Sequence, residues 1–319
     1  MDAALTVEIH PHLRGVDPGE WDAVVADGCP FFEHAFLAGL EQTQCVGPNT
    51  GWAPQYVLAR RGGRLVGFLP LYLKADSYGE FIFDWAWADA AHRAGLPYYP
   101  KLVAAAPFSP VGGARFVLAP GEPPETRQAL LDGARHLAER LGVSGLHLLF
   151  VDEAEAAFLT DAGLAIRHTH QFQWVNAGYR TFDDFLARFR SKRRNQIRRE
   201  RRDLREAGVS IRVVEGEQIT DAELAHAWRF YRSTVDKFFY GKRYLNRRFF
   251  QHLGKHFRKR ILLVLAERDG EVIAGAFNVR KGDTLYGRYW GADEGVRNLH
   301  FEVCSYAGIE ACIERGIQR

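Results

Sequence analysis

The sequence predicts an α/β protein made of two tandem halves, each organised round a three-strand antiparallel meander. Three observations lead there. The chain has 319 residues, more than the ~250 to 300 at which a single hydrophobic core stops growing. Its composition, 47% hydrophobic against 25% charged, supplies packed cores and excludes a disordered or fibrous chain. A segment of the first half also recurs in the second: Val57-Leu58-Ala59-Arg60-Arg61-Gly62-Gly63-Arg64-Leu65-Val66-Gly67 lines up with Val264-Leu265-Ala266-Glu267-Arg268-Asp269-Gly270-Glu271-Val272-Ile273-Ala274, at a constant offset of 207.

Each copy reads as strand, glycine turn, strand, with Gly63 and Gly270 in the turns, which is what an antiparallel hairpin requires. A third strand is expected after each hairpin, at 81–88 and 286–292, ending on Trp87 with Asp89 and on Trp290 with Asp293. In the first half, residues 123–141 carry apolar side chains at helical spacing (Ala129, Leu130, Ala134, Leu137, Leu141) and stop at Gly142, a helix with its terminator. A buried strand is expected at 146–151 and a short helix at 152–162. Residues 165–176 then alternate like a strand with Ile166, His168, His170, Phe172 and Trp174 on one face. In the second half, 181–208 is helical with a restart at Ser191, and 209–214 is a strand. Helices at 221–239 and 247–260 precede the meander, and an apolar helix at 298–315 follows it. The expected domains are 1–178 and 179–319.

Cys29, Cys45, Cys304 and Cys312 form no CxxC pair and no Cys/His cluster at zinc spacing, so neither a disulfide framework nor a structural metal is indicated. The N-terminus has no basic region followed by an apolar stretch, and no segment approaches the ~18 apolar residues of a membrane span. A cytoplasmic protein is expected. Net charge is only +3, yet residues 188–205 hold ten Lys/Arg against Glu200 and Asp203, so positive charge is focused on one helix.

The order of strand, two helices, meander, helix and strand resembles the Gcn5-related acetyltransferase (GNAT) fold, and its duplication resembles the Fem-type peptidoglycan aminoacyltransferases. The wording is more specific. Phe31-Phe32, Phe83-Asp84-Trp85-Ala86-Trp87-Ala88-Asp89, Gly95-Leu96-Pro97-Tyr98-Tyr99-Pro100-Lys101-Leu102, Pro107-Phe108-Ser109-Pro110-Val111, Gln171-Phe172-Gln173-Trp174 and Leu299-His300-Phe301-Glu302 together resemble the FemAB-like family of bacterial N-acyltransferases over nearly the whole chain. That resemblance implies a tandem GNAT-like fold of Fem-type architecture. Members of the family continue past the last helix into further strands, so it also implies an incomplete second copy whose sheet lacks pairing partners. The activity implied is transfer of an acyl or aminoacyl group from a phosphate-bearing donor, acyl-CoA or aminoacyl-tRNA, to a small-molecule or peptide amine.

Candidate residues follow. The run from Arg190 to Arg199 opens a helix with Ser191 as its expected N-cap. A solvated helical face is its ordinary reading. Arg bias, scarce acids and a likeness of Ser-x-x-Arg-Arg-Asn to Fem-type proteins favour a phosphate site built from Lys192, Arg193, Arg194 and Asn195. Ordinary acetyltransferases hold the pyrophosphate on a glycine-rich turn after the third meander strand. Gly295 and Arg297 occupy that junction here and could supply part of such a site, although a plain β-to-α turn is the favoured reading. The Pro/Gly-rich segment with Phe108 and Ser109 is expected over the substrate cleft, and Trp290 beside it.

Acyl transfer to an amine needs a base for the ammonium proton and an acid for the leaving group. Glu302, on an apolar helix, must find a partner or raise its pKa, which makes it the candidate base, with His300 second. A structural hydrogen bond explains either residue equally well. His168 and His170 read as packing residues, the aromatics Trp85, Trp87, Tyr289 and Trp290 as core, and Cys304 as a nucleophile only if a base accompanies it. Two other functions compete: a nucleic-acid-binding module that uses the basic helix for phosphates or tRNA, and an inactive recognition protein that keeps the fold without the reaction.

Overall fold

The computed structural model describes residues 3–237, 241–293 and 295–319. Phe238 and Phe239, into which a helix was expected to run, and Glu294 of the expected turn lie outside the described residues. The chain divides into two compact units, Met1–His170 and Gln171–Arg319.

The first unit runs β1 (Leu5–His10), α1 (Pro18–Val25), α2 (His34–Gln42), β2 (Ala53–Pro54), β3 (Tyr56–Arg61), β4 (Arg64–Leu69), β5 (Leu71–Lys74), α3 (Trp85–Arg93), β6 (Lys101–Ala104), β7 (Val117–Leu118), α4 (Glu125–Leu141), β8 (Leu146–Leu148) and α5 (Glu153–Asp161). The second runs α6 (Phe182–Ala187), α7 (Ser191–Glu206), β9 (Ser210–Glu215), α8 (Asp221–Val235), α9 (Arg247–His256), β10 (Ile261–Arg268), β11 (Glu271–Lys281), β12 (Thr284–Ala292), α10 (Leu299–Phe301), a π turn (Glu302–Tyr306) and α11 (Ala307–Glu314).

The repeat is real at the level of register. In the first unit Ala59 pairs with Gly67 and, past a bulge, Arg60 pairs with Leu65. In the second Ala266 pairs with Ala274 and, past a bulge, Glu267 pairs with Val272. All four positions and the bulge are displaced by 207. The turns explain why. Gly62 and Gly63 have φ of 59° and 83°, and Asp269 and Gly270 have 53° and 81°. Two successive left-handed residues define the two-residue turn whose twist matches that of the flanking strands, and turn type fixes register.

The third strands are not alike. The expected strand at 81–88 is instead the approach to α3, whose Trp85 and Trp87 are exposed, so these two are not core residues and do not correspond to Trp290. The true third strand of the first unit is split: β6 pairs with β5, β7 pairs with β4, and residues 105–116 leave the sheet between them. In the second unit β12 is one strand of nine residues. On its far side β6 is joined in parallel by β8, whereas among the described residues β12 ends its sheet, in the order β12-β11-β10-β9.

The family wording at 83–102 builds a buried ionic knot. Lys101 Nζ, fully buried, donates to Ser77 Oγ at 2.8 Å, Glu80 Oε2 at 2.9 Å and Asp84 Oδ2 at 2.8 Å. All three ammonium protons are used, so Lys101 is a charged anchor and not a free base. Tyr98 donates to the same Asp84 oxygen at 2.7 Å, and Tyr99 shares a hydrogen bond with Ser77 at 2.7 Å. The knot ties the segment before α3 to the end of the sheet.

Other expectations need correction. Residues 165–176 form no regular strand, and most of their side chains, Phe172 included, are exposed. Alternation there had no second face to bury. Ser191 is the first helical residue of α7 and Arg190 occupies the cap, with no side-chain capping bond. The α6 start is the capped one: Thr181 and Asp184 form a reciprocal capping box. The last helix is not continuous, because the π turn at Glu302–Tyr306 interrupts it. Single π turns rotate the following side chains and are frequent at functional sites.

Candidate functional site

In the second unit, Leu204, Val264, Ala274, Leu299 and Val303 pack into one core, while Phe182, Leu186, Ile197 and Tyr306 form another beneath α6 and α7. Ile197 and Leu204 are the buried residues of α7. Arg193 and Arg201 stand one turn either side of Ile197 and so share that inward face. Both are engaged there.

Arg201 is the centre of the arrangement. Its Nε lies 3.1 Å from each Glu302 oxygen, and its Nη2 lies 3.0 Å from Glu302 Oε1 and 2.5 Å from Glu310 Oε2. Its guanidinium also stacks over the Phe182 ring at 4.6 Å. About two turns earlier on α7, Arg193 Nη2 donates to the Tyr306 hydroxyl at 3.2 Å, and that hydroxyl donates to Glu200 Oε2 at 3.2 Å. Helix α7 is thereby fastened to both ends of the π turn, at Glu302 and at Tyr306.

Glu302 is 3% exposed. Burial pushes its carboxyl above the ordinary 4.5, and the Arg201 guanidinium pulls it back only in part. Burial likewise pushes the Tyr306 phenol to about 12, so Tyr306 is a neutral donor at physiological pH. Cys304 is pushed to about 12 by burial, and as a protonated thiol it is no nucleophile. Beside Glu302 opens a pocket of about 280 Å³ lined by Arg201, Arg205, Leu204, Val209 and Ile211.

The remaining candidates distribute as follows. His300 is exposed on α10, and its ring lies 4.5 Å from the Trp290 indole on β12. Lys192 and Asn195 are exposed, Arg193 and Arg194 are half-buried, and Arg193 reaches the Tyr306 hydroxyl. Gly295 and Arg297 are exposed between β12 and α10. A Cβ on Gly295 would meet nothing within 4 Å, whereas one on Gly291 would clash with the Phe230 carbonyl oxygen. The glycine the geometry requires is therefore Gly291, for the approach of α8, and not Gly295. Phe108 and Ser109 are buried inside the first unit, Phe108 against Trp52 with a centroid separation of 5.3 Å.

Arg201, Arg205 and Tyr306 were not singled out in the sequence. For Arg201 a signal existed, since it falls four residues after Ile197 and three before Leu204, on the apolar stripe of an otherwise basic helix.

Two tandem meanders of matched register, each with helices flanking its sheet, define a duplicated GNAT-like protein. The chain belongs to the FemAB-like family, described as peptidoglycan biosynthesis/recognition, whose pattern it matches over residues 12–319. Among solved structures it is similar to FemX, at 13% identity with a TM-score of 0.51, covering 98% of this chain and 87% of that one. It also matches a tandem GNAT protein from the clavulanic acid biosynthesis pathway, at 15% identity with a TM-score of 0.44, covering 98% of this chain and 88% of that one. No curated protein matches. No helix among the described residues is long and apolar enough to cross a membrane.

Proposed function

We propose that the protein is an N-acyltransferase in which the second unit carries the reaction and Glu302 is its base. The observation that carries this reading is a buried carboxylate, raised above its ordinary pKa, on a π turn at the wall of a pocket in a FemAB-like fold. A base must be anionic yet willing to hold a proton, and burial offset by one guanidinium produces that balance. The donor is a phosphate-bearing thioester or ester, acyl-CoA or aminoacyl-tRNA. Its phosphates meet Lys192, Arg194 and Asn195 at the α7 start, with Arg297 in support.

In the reaction, the acceptor ammonium first gives one proton to Glu302. The free amine attacks the acyl carbon, the N–C bond forms, the C–S or C–O bond to the donor breaks, and the second nitrogen proton passes to the leaving thiol or hydroxyl. His300, exposed over Trp290, is the candidate for that second transfer. Mass spectrometry on a panel of amines with acetyl-CoA and with charged tRNA tests the reading. An acylated amine that is absent with Glu302→Gln supports it. No product from either donor class with the folded wild-type protein removes it.

A further inference from the structure

We infer that the pocket beside Glu302 is a binding site for an aliphatic α-amino acid with a free carboxylate, which it presents as the acceptor. This inference rests on the reading above for the word acceptor, but the site itself is argued from complementarity. The pocket carries unlike charges and an apolar wall. Glu302 supplies an anion, Arg205 a cation, and Leu204, Val209 and Ile211 the apolar surface between α7 and β9. A zwitterion with a branched aliphatic side chain has the same three features.

The charges are available to different degrees. Arg201 lines the pocket too, but its guanidinium is committed to Glu302 and Glu310. Arg205 is exposed at the mouth, near enough to Glu302 to lower its carboxyl electrostatically. Glu302 Oε1 faces both Nε and Nη2 of Arg201, whereas Oε2 meets only Nε and has a second lone pair for an ammonium. The volume, about 280 Å³, admits a leucine-sized molecule and excludes an entire folded partner. A phosphate or a bare anion would leave Glu302 facing it as a like charge, and a simple amine would leave Arg205 without a partner at the mouth. Of these small ligands only the zwitterion satisfies both.

Isothermal titration of the full chain with L-leucine, L-leucinamide and 4-methylpentanoate tests this. The amide lacks the carboxylate and the acid lacks the amine, with the aliphatic part retained. Saturable leucine binding is expected, with each analogue at least tenfold weaker and with Arg205→Ala, at an exposed position outside the core, weakening leucine at least tenfold. Equal binding of either analogue, unchanged affinity in Arg205→Ala, or no leucine binding overturns the site. The two readings fail separately. Leucine that binds but is acylated by neither donor class leaves the site and removes the reaction, whereas acylation of other amines without leucine binding leaves the reaction and removes the site.

Discussion

Arg201 and Glu302, 101 residues apart in the chain, meet through two guanidinium nitrogens at 3.0–3.1 Å beneath the surface of the second unit. One helix thus fixes both the position and the ionisation of the carboxylate on the π turn. The pair couples architecture to chemistry, and its removal separates them.

Arg201→Gln leaves Glu302 buried without its hydrogen-bonded cation, a change that costs about 3–5 kcal/mol when one partner of a buried pair is deleted. The loss depends on pH in a defined direction. An unpaired buried carboxyl has a raised folded-state pKa, so the folded state binds the proton more readily than the unfolded one. Stability therefore returns as pH falls and declines as pH rises above about 4.5, the ordinary value. Urea denaturation at pH 7 and pH 5 checks this, and a variant equally unstable at both would contradict it.

Lys101→Met removes the cation that hydrogen-bonds both Glu80 and Asp84 while keeping the volume, with Lys74 left 3.8 Å from Glu80. Two buried carboxylates then lose the cation they share, with a destabilisation of about 3–5 kcal/mol expected. Adding Glu80→Gln and Asp84→Asn recovers part of it. Thermal unfolding of the single and triple variants measures both effects, and a single variant with wild-type stability would show that the knot contributes nothing.

The two glycines after the third strand give opposite outcomes. Gly291→Ala drives a methyl group into the Phe230 carbonyl oxygen, a backbone clash that no rotamer change relieves, so α8 or β12 must move. Gly295→Ala meets open space. Loss of stability is expected for the first and a change within ~0.5 kcal/mol for the second. Calorimetry that found the two alike would place the close approach elsewhere.

The duplication was legible because two-residue turns and a bulge leave the same residues at the same spacing in both copies, as Ala59 and Ala266 show. The split third strand was not. Residues 81–88 alternate aromatic and small side chains, and that period suggests a strand until Asp84 is seen bound to Lys101, which draws the chain inward and lets α3 begin. The four residues of β6 lie between Pro100 and a long excursion, too short for a periodic signal. At the site, Glu302 stood out as an acid among apolar residues. Its partner did not, since Arg201 is one of ten cations in its run and only three-dimensional packing selects it. The contact of Arg193 with Tyr306 is equally a matter of helix phase, which a list of basic residues does not display.

The central claim is that Glu302 accepts the acceptor's proton, and single-turnover acyl transfer by Glu302→Gln tests it most directly. The amide keeps the side-chain shape and leaves Arg201 its contact to Glu310. With donor binding and folding verified alongside, the rate is expected to fall by about 10² to 10⁴, the usual contribution of a positioned base. The wild-type rate should rise with pH as the raised Glu302 carboxyl ionises, and the variant should lose that limb of the profile. A folded, donor-binding Glu302→Gln protein with the wild-type rate and the same rising limb would contradict the assignment.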